Sequence, residues 1–338
     1  MKKLLLLLLV VSAYSCKTAQ STASKDNSDP TKYINSISEK DLKKMLYTIA
    51  SDEMEGRETG SKGQKKAGVY MIEQYKKSGV SFPKGASDYY QHIPAAFLNA
   101  RRNENLPDSE NIWAFIEGSE KPNEILVISA HYDHVGIKDG EVYNGADDDG
   151  SGTVAVIEMA KAFAKAKKQG HGPKRSIMFL HVTGEEHGLH GSRFYSENPL
   201  FPIANTIADI NIDMIGRRDV EHSQTNNYVY VIGADRLSSD LHNAVVSQNE
   251  KYIKMDLDFK FNDPKDPNHF YERSDHYNFA KHGIPSVFFF NGVHADYHGK
   301  DDTPEKIEYD ALTKRTKLAF SIAWELANRE NRPVVDKK

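Results

Sequence analysis

The sequence predicts a layered α/β fold around a largely parallel or mixed sheet, on two observations. Short apolar runs alternate with segments of helical periodicity from about residue 31 to about residue 329. Several of those runs are hydrophobic almost without interruption, which fits strands buried on both faces. The runs at 125–130 (ILVISA), 177–182 (IMFLHV), 207–212 (IADINI), 228–232 (YVYVI) and 285–290 (PSVFFF) read as strands. Helical patterns at about 151–167, 237–250 and 310–328 fall among them.

Taken in chain order, the first fifteen residues (MKKLLLLLLVVSAYS) place two lysines before an apolar run and then small residues. This is the layout of a secretory signal, too short for a membrane span. Cys16, the only cysteine, comes directly after it, so disulfides are excluded. SAYSC resembles the lipobox of bacterial lipoproteins, which implies an acylated Cys16 anchoring the protein to the cell envelope, with plain secretion as the alternative. Residues 16–30 are small and polar and read as a flexible tether. A single domain then spans 31–338, with no internal repeat and no second linker. Ser38 with Asp41, and Ser61 with Gln64, open two amphipathic helices in capping-box fashion, and Gly79 sits at a C-cap position. SDEMEGRETG between them reads as a charged loop. A net charge of −4 gives no electrostatic reason to expect nucleic acid.

The chemistry lies just beyond the apolar runs: HYDHVG after Ala130, TGEEHG after Val182, Asp213 after Ile212, and NGVHADYHGKDDT after Phe290. Open α/β sheets bind ligands beyond the carboxyl ends of their strands, so His, Asp and Glu are delivered to one edge. NGADDDGSGT adds Asp147, Asp148 and Asp149 in a glycine-rich turn, either a solvated surface cluster or one whose repulsion a cation offsets. His131, Asp147, Glu186, Asp213 and His298 supply imidazole and carboxylate donors. Five ligands exceed the three that a catalytic zinc takes and suit a pair of zinc ions. His134, His187 and His190 read as packing or exposed histidines. HFYERSDHYNF, with Ser274, Asp275 and His276 adjacent in sequence, reads as pocket lining and not as a Ser–His–Asp triad.

SAHYDHVG, NGADDDGSGT, TGEEHGLHGS, NIDMIG and DYHGKDDTP together resemble the ordered blocks of the co-catalytic zinc exopeptidases, the family of secreted bacterial leucyl-type aminopeptidases. The likeness runs from about residue 51 to about 329. It implies a three-layer α/β/α fold with a central mixed, largely parallel sheet, and two zinc ions. It further implies Asp147 as the bridging carboxylate, with a cis peptide between Asp147 and Asp148. His131 and Asp213 would sit at one zinc, with Glu186 and His298 at the other. Asp133 would orient His131, and Glu185 would be the general base. The implied activity is removal of N-terminal residues from peptides outside the cytoplasm. Glutamate carboxypeptidase-like or glutaminyl cyclase-like chemistry on the same fold, or a non-catalytic binding module, are the competing expectations. Membrane contact is expected only through Cys16.

Overall fold

The computed structural model describes residues 29–101 and 104–337, so the leader at 1–15, Cys16 and all but the last two residues of the tether lie outside the described residues. Among the described residues ten strands run in chain order: β1 (Tyr90–Ile93), β2 (Ser109–Ile116), β3 (Lys121–His131), β4 (Ile137–Lys138), β5 (Glu141–Val142), β6 (Arg175–Val182), β7 (Thr206–Ile212), β8 (Tyr228–Ile232), β9 (Asp256–Asp258) and β10 (Ser286–Phe290). Eight of them form one sheet in the order β1-β2-β6-β3-β7-β10-β8-β9, and β4 pairs with β5 as a separate ribbon. The four central strands β6, β3, β7 and β10 are mutually parallel. β2 and β1 continue the sheet antiparallel on one side, and β8 pairs antiparallel with β10 on the other. The sheet is therefore mixed around a parallel centre.

Alternation along the strands builds the layers. Leu126, Ile128 and Ala130 of β3 enter a large core with Val156, Phe163, Phe320 and Trp324, which come from the helices Gly152–Lys168 and Tyr309–Asn328. Ile125 and Val127 of the same strand enter a second core with Met178, Leu180, Tyr195 and Phe279. Tyr195 and Phe279 belong to the helices His190–Glu197 and His276–Ala280, so helices cover both faces. Phe163 lies 4.6 Å from the Phe320 ring, and burying such a side chain contributes about 2–3 kcal/mol.

The local signals hold in detail. Ser38 Oγ accepts the Asp41 N–H at 3.3 Å and Ser61 Oγ accepts the Gln64 N–H at 3.2 Å, starting the helices Glu39–Ile49 and Lys62–Ser78. The return half of each capping box differs: Gln64 Oε1 accepts the N–H of Gly60, one residue before the cap, at 2.6 Å, and the Ser38 N–H donates to Glu158 Oε1 at 3.1 Å and not to Asp41. Gly79 ends the second helix at φ 73°, a left-handed cap that suits a residue without Cβ. Two findings depart from the expectation. β2 opens with Ser109, Glu110 and Asn111, all buried, so its start does not read as an apolar run. Arg57, in the expected charged loop, is fully buried and donates to the carbonyls of Ile49, Tyr132, Asn144 and Gly145.

Candidate metal centre

The register brings the ends of the parallel strands level: His131 pairs with Val182, and Phe289 with Ile212. His131 therefore ends β3 beside the loops that carry Glu185 and Glu186 after β6 and Asp213 after β7, while the loop after β10 returns with His298. His131 Nε2 lies 3.1 Å from Asp148 Oδ1 and 3.5 Å from Asp213 Oδ1. His298 Nε2 lies 3.0 Å from both Asp148 Oδ2 and Glu186 Oε2. His134 Nδ1 is 2.9 Å from Glu186 Oε1 and 3.7 Å from Asp148 Oδ2. Among the described residues this makes two metal-competent groups, His131 with Asp213 and His134 with Glu186, and Asp148 belongs to both.

The donor set fits a pair of divalent cations. Asp148 Oδ2 is buried without a well-formed hydrogen bond, and His134 turns its Nδ1 toward that oxygen and toward Glu186. Imidazole nitrogens with carboxylate oxygens are zinc donors, and a cation offsets the repulsion among so many acids. Burial pushes the Glu185 carboxyl well up, and Glu186, Asp213 and Asp275 add to this against the pull of His131.

The placement of Asp147 corrects the expectation. Its Oδ1 accepts the Gly216 N–H at 2.6 Å, and its Oδ2 lies 3.2 Å from His294 Nε2, away from the other candidate ligands. Asp148 takes the shared position, and the cis peptide likewise lies one residue further on, between Asp148 and Asp149. The reason is local geometry: after the left-handed Gly145 the chain turns irregularly, so three adjacent aspartates point three ways. Asp149 takes the third direction. Its Oδ2 accepts the His131 N–H at 3.2 Å, and its Oδ1 accepts those of Gly152 and Met214 at 2.8 and 3.1 Å. Only glycine allows this approach at 152, because a Cβ there would stand 2.2 Å from the Ile212 carbonyl oxygen.

The other candidates take supporting positions. Asp133 stands behind His131, with its carbonyl 3.1 Å and its Oδ1 3.8 Å from the ring Nδ1. The Asp133 carboxylate accepts the Thr59 hydroxyl at 2.9 Å and the Glu185 N–H at 3.3 Å. Ser274 Oγ donates to Asp213 Oδ2 at 2.6 Å, and Asp302 accepts the N–H groups of Asp147 and Asp148 at 2.9 and 3.1 Å. Ser274, Asp275 and His276 form no relay: Asp275 accepts from Ser192, and His276 stacks on Phe288. His187 is bracketed by Glu58 and Glu104, each at 2.7 Å. His134, Asp148, Asp302 and Arg57 escaped the sequence reading. The only signal for them was proximity to a motif, since Asp147 and Asp148 are the same residue type in the same run.

Two spaces meet at the cluster. Met214, Phe270, Phe288, Phe290 and Val293 line an apolar pocket that ends on Asp148, Glu185 and Asp213. A wider cleft of about 430 Å³ runs from Glu185, Glu186 and His298 toward Arg101, Tyr277 and Lys281. Glu185, Arg273 and Tyr297 border both.

Comparison with known proteins bears on the family and the fold. A probable leucine aminopeptidase of Trichophyton verrucosum is 30% identical over 228 residues, covering 64% of this chain and 57% of that protein. The chain thus spans little more than half the length of such curated relatives. An aminopeptidase from Aneurinibacillus sp. strain AM-1 shares the fold at a TM-score of 0.67 and 16% identity, over 92% of this chain and 98% of that one. The glutaminyl cyclase of Porphyromonas gingivalis does so at 0.63 and 17%, over 85% and 97%. These two likenesses establish the three-layer α/β/α architecture. The model of peptidase family M28 matches residues 111–323, a span that takes in every candidate ligand together with Asp133 and Glu185, and the chain belongs to that family.

Proposed function

We propose that the chain is an exported zinc-dependent aminopeptidase that releases N-terminal residues from peptides. The observation that carries this reading is the pair of ligand groups sharing Asp148, with Glu185 beside them at the mouth of the cleft. His131 and Asp213 would hold one zinc, Glu186 and His298 the other with His134 in reach, and Asp148 both. When bound, the ions supply the Lewis acidity that polarises a peptide carbonyl and acidifies water.

The remaining work falls to the chain. Glu185, beside both ligand groups, accepts a proton from the attacking water and returns it to the leaving amine. Asp133 steadies two of the participants, taking the Glu185 N–H on its carboxylate and facing the His131 ring with its carbonyl. The apolar pocket accepts an apolar first side chain, and the acids at its end favour a free α-ammonium over a blocked one. The leader at 1–15 supports export and Cys16 supports a lipid anchor, so Cys16→Ser should move the protein from the membrane to the soluble fraction.

Leucyl anilide and its N-acetyl counterpart, each with zinc-loaded and chelated protein, test the activity. Cleavage of the free-amino substrate alone, abolished by chelation, is expected. Equal cleavage of the acetylated substrate overturns the aminopeptidase assignment, and cyclisation of an N-terminal glutamine without hydrolysis replaces it with an acyltransferase.

A further inference from the structure

The wider cleft has an asymmetry that hydrolysis alone does not require. Its lining carries Glu185 and Glu186 of the acidic cluster together with three cations from separate segments. Arg101 follows the short helix Ala95–Leu98, Arg273 follows the turn Phe270–Glu272, and Lys281 ends the helix His276–Ala280. All three are exposed, and none has an ion pair among the described residues. Some exposed lysines elsewhere are paired, Lys66 with Glu55, Lys84 with Glu117 and Lys260 with Glu221.

Arg101 and Lys281 also stand close enough to oppose one another. Burial first and then the charge of Arg101 pull the Lys281 ammonium down, opposed by Glu197, with a smaller push from Arg193. Glu272 is the one acid on this lining besides Glu185 and Glu186, and its carboxylate lies 4.0 Å from His269. Arg193 is engaged elsewhere, stacked 3.8 Å from the Phe97 ring. An anion placed among Arg101, Arg273 and Lys281 would relieve this crowding and accept charge-assisted hydrogen bonds.

Position identifies the anion. Arg273 borders both the apolar pocket and the wide cleft, so a peptide with its first side chain in the pocket runs past Arg273 into the cleft. Each further residue of extended chain advances about 3.3–3.6 Å, which carries the end of a di- or tripeptide along the cationic wall. Resting on the aminopeptidase reading, we propose that Arg101, Arg273 and Lys281 form a carboxylate-binding wall. It selects peptides carrying a carboxylate one or two residues beyond the scissile bond, either the chain terminus of a short peptide or an acidic side chain.

The test compares Leu-Ala-Ala, its C-terminal amide, and the amide Leu-Ala-Glu-NH2 on zinc-loaded protein. Leucyl anilide reports the bond cleavage itself. Wild type is expected to favour the free acid over its amide about tenfold in kcat/KM, mostly through KM. The triple variant Arg101→Gln, Arg273→Gln, Lys281→Gln should bring that ratio to about one. Taking the ratio within each protein removes differences in expression or folding. A gain for Leu-Ala-Glu-NH2 alone, lost in the variant, assigns the wall to an acidic side chain and supports it. Equal rates for all three peptides in wild type overturn the proposal, as does a preference that survives the triple variant. No turnover of any leucyl substrate with zinc bound overturns the aminopeptidase reading instead, and the wall's role in it.

Discussion

The two walls of the cleft are built in opposite ways. At the metal centre, which borders the cleft through Glu185 and Glu186, Asp147, Asp148, Asp149 and Asp302 are almost completely buried, and backbone N–H groups donate to the carboxylates of Asp147, Asp149 and Asp302. On the outer wall Arg101, Arg273 and Lys281 are exposed on loops and helix ends, without ion-pair partners among the described residues. Chemistry needs atoms fixed to a fraction of an ångström, and the rigid edge of the sheet provides this. Selection among peptides tolerates movement, and loops serve it.

The sharpest break is at the shared ligand. Asp148→Asn should lower bound zinc below two equivalents and cut kcat/KM by roughly a thousandfold or more, measured by metal analysis and anilide turnover. Glu185→Gln should keep its zinc and lose about a hundred- to ten-thousandfold in turnover, because only the proton carrier is removed. Asp147→Asn separates neighbours that the sequence cannot distinguish. It should keep two zinc equivalents and most turnover while losing about 1–3 kcal/mol of stability in a denaturant titration.

The smallest effect lies on the face of the sheet that the helix Lys62–Ser78 covers. His181 is fully buried against the Tyr75 hydroxyl, and burial lowers its pKa from 6.5 to about 3. Below about pH 6.5 the unfolded chain therefore takes up a proton that the folded chain refuses, and stability falls as pH falls toward 3. His181→Gln should flatten the stability profile between about pH 6 and about pH 4 by about 1.4 kcal/mol per pH unit.

The strand ends were legible because β3, β6, β7 and β10 are buried on both faces, and apolar runs followed by His, Asp or Glu stand out against that background. Helix starts were legible at Ser38 and Ser61 because a cap is a local device. The choice between Asp147 and Asp148 was not legible. It depends on how the chain leaves Gly145 and on the Asp302 carboxylate, 154 positions further on, that receives the Asp148 N–H. Arg57 was hidden for a related reason. Burial of a guanidinium is tolerable only once Ile49, Tyr132, Asn144 and Gly145 present their carbonyls together, and that convergence is tertiary. β2 escaped because its buried polar start is satisfied by partners distant in sequence, such as Gly191 for Asn111.

Asp149 fastens the chain at residues 131, 152 and 214 from a single carboxylate. Those anchors lie at or next to the segments that supply His131, Asp148 and Asp213, so the socket is shaped by protein bonds before any ion arrives. Exchanging zinc for cobalt or manganese should therefore retune reactivity while leaving the amide exchange pattern of this edge unchanged, unlike a finger that unravels when its metal is stripped.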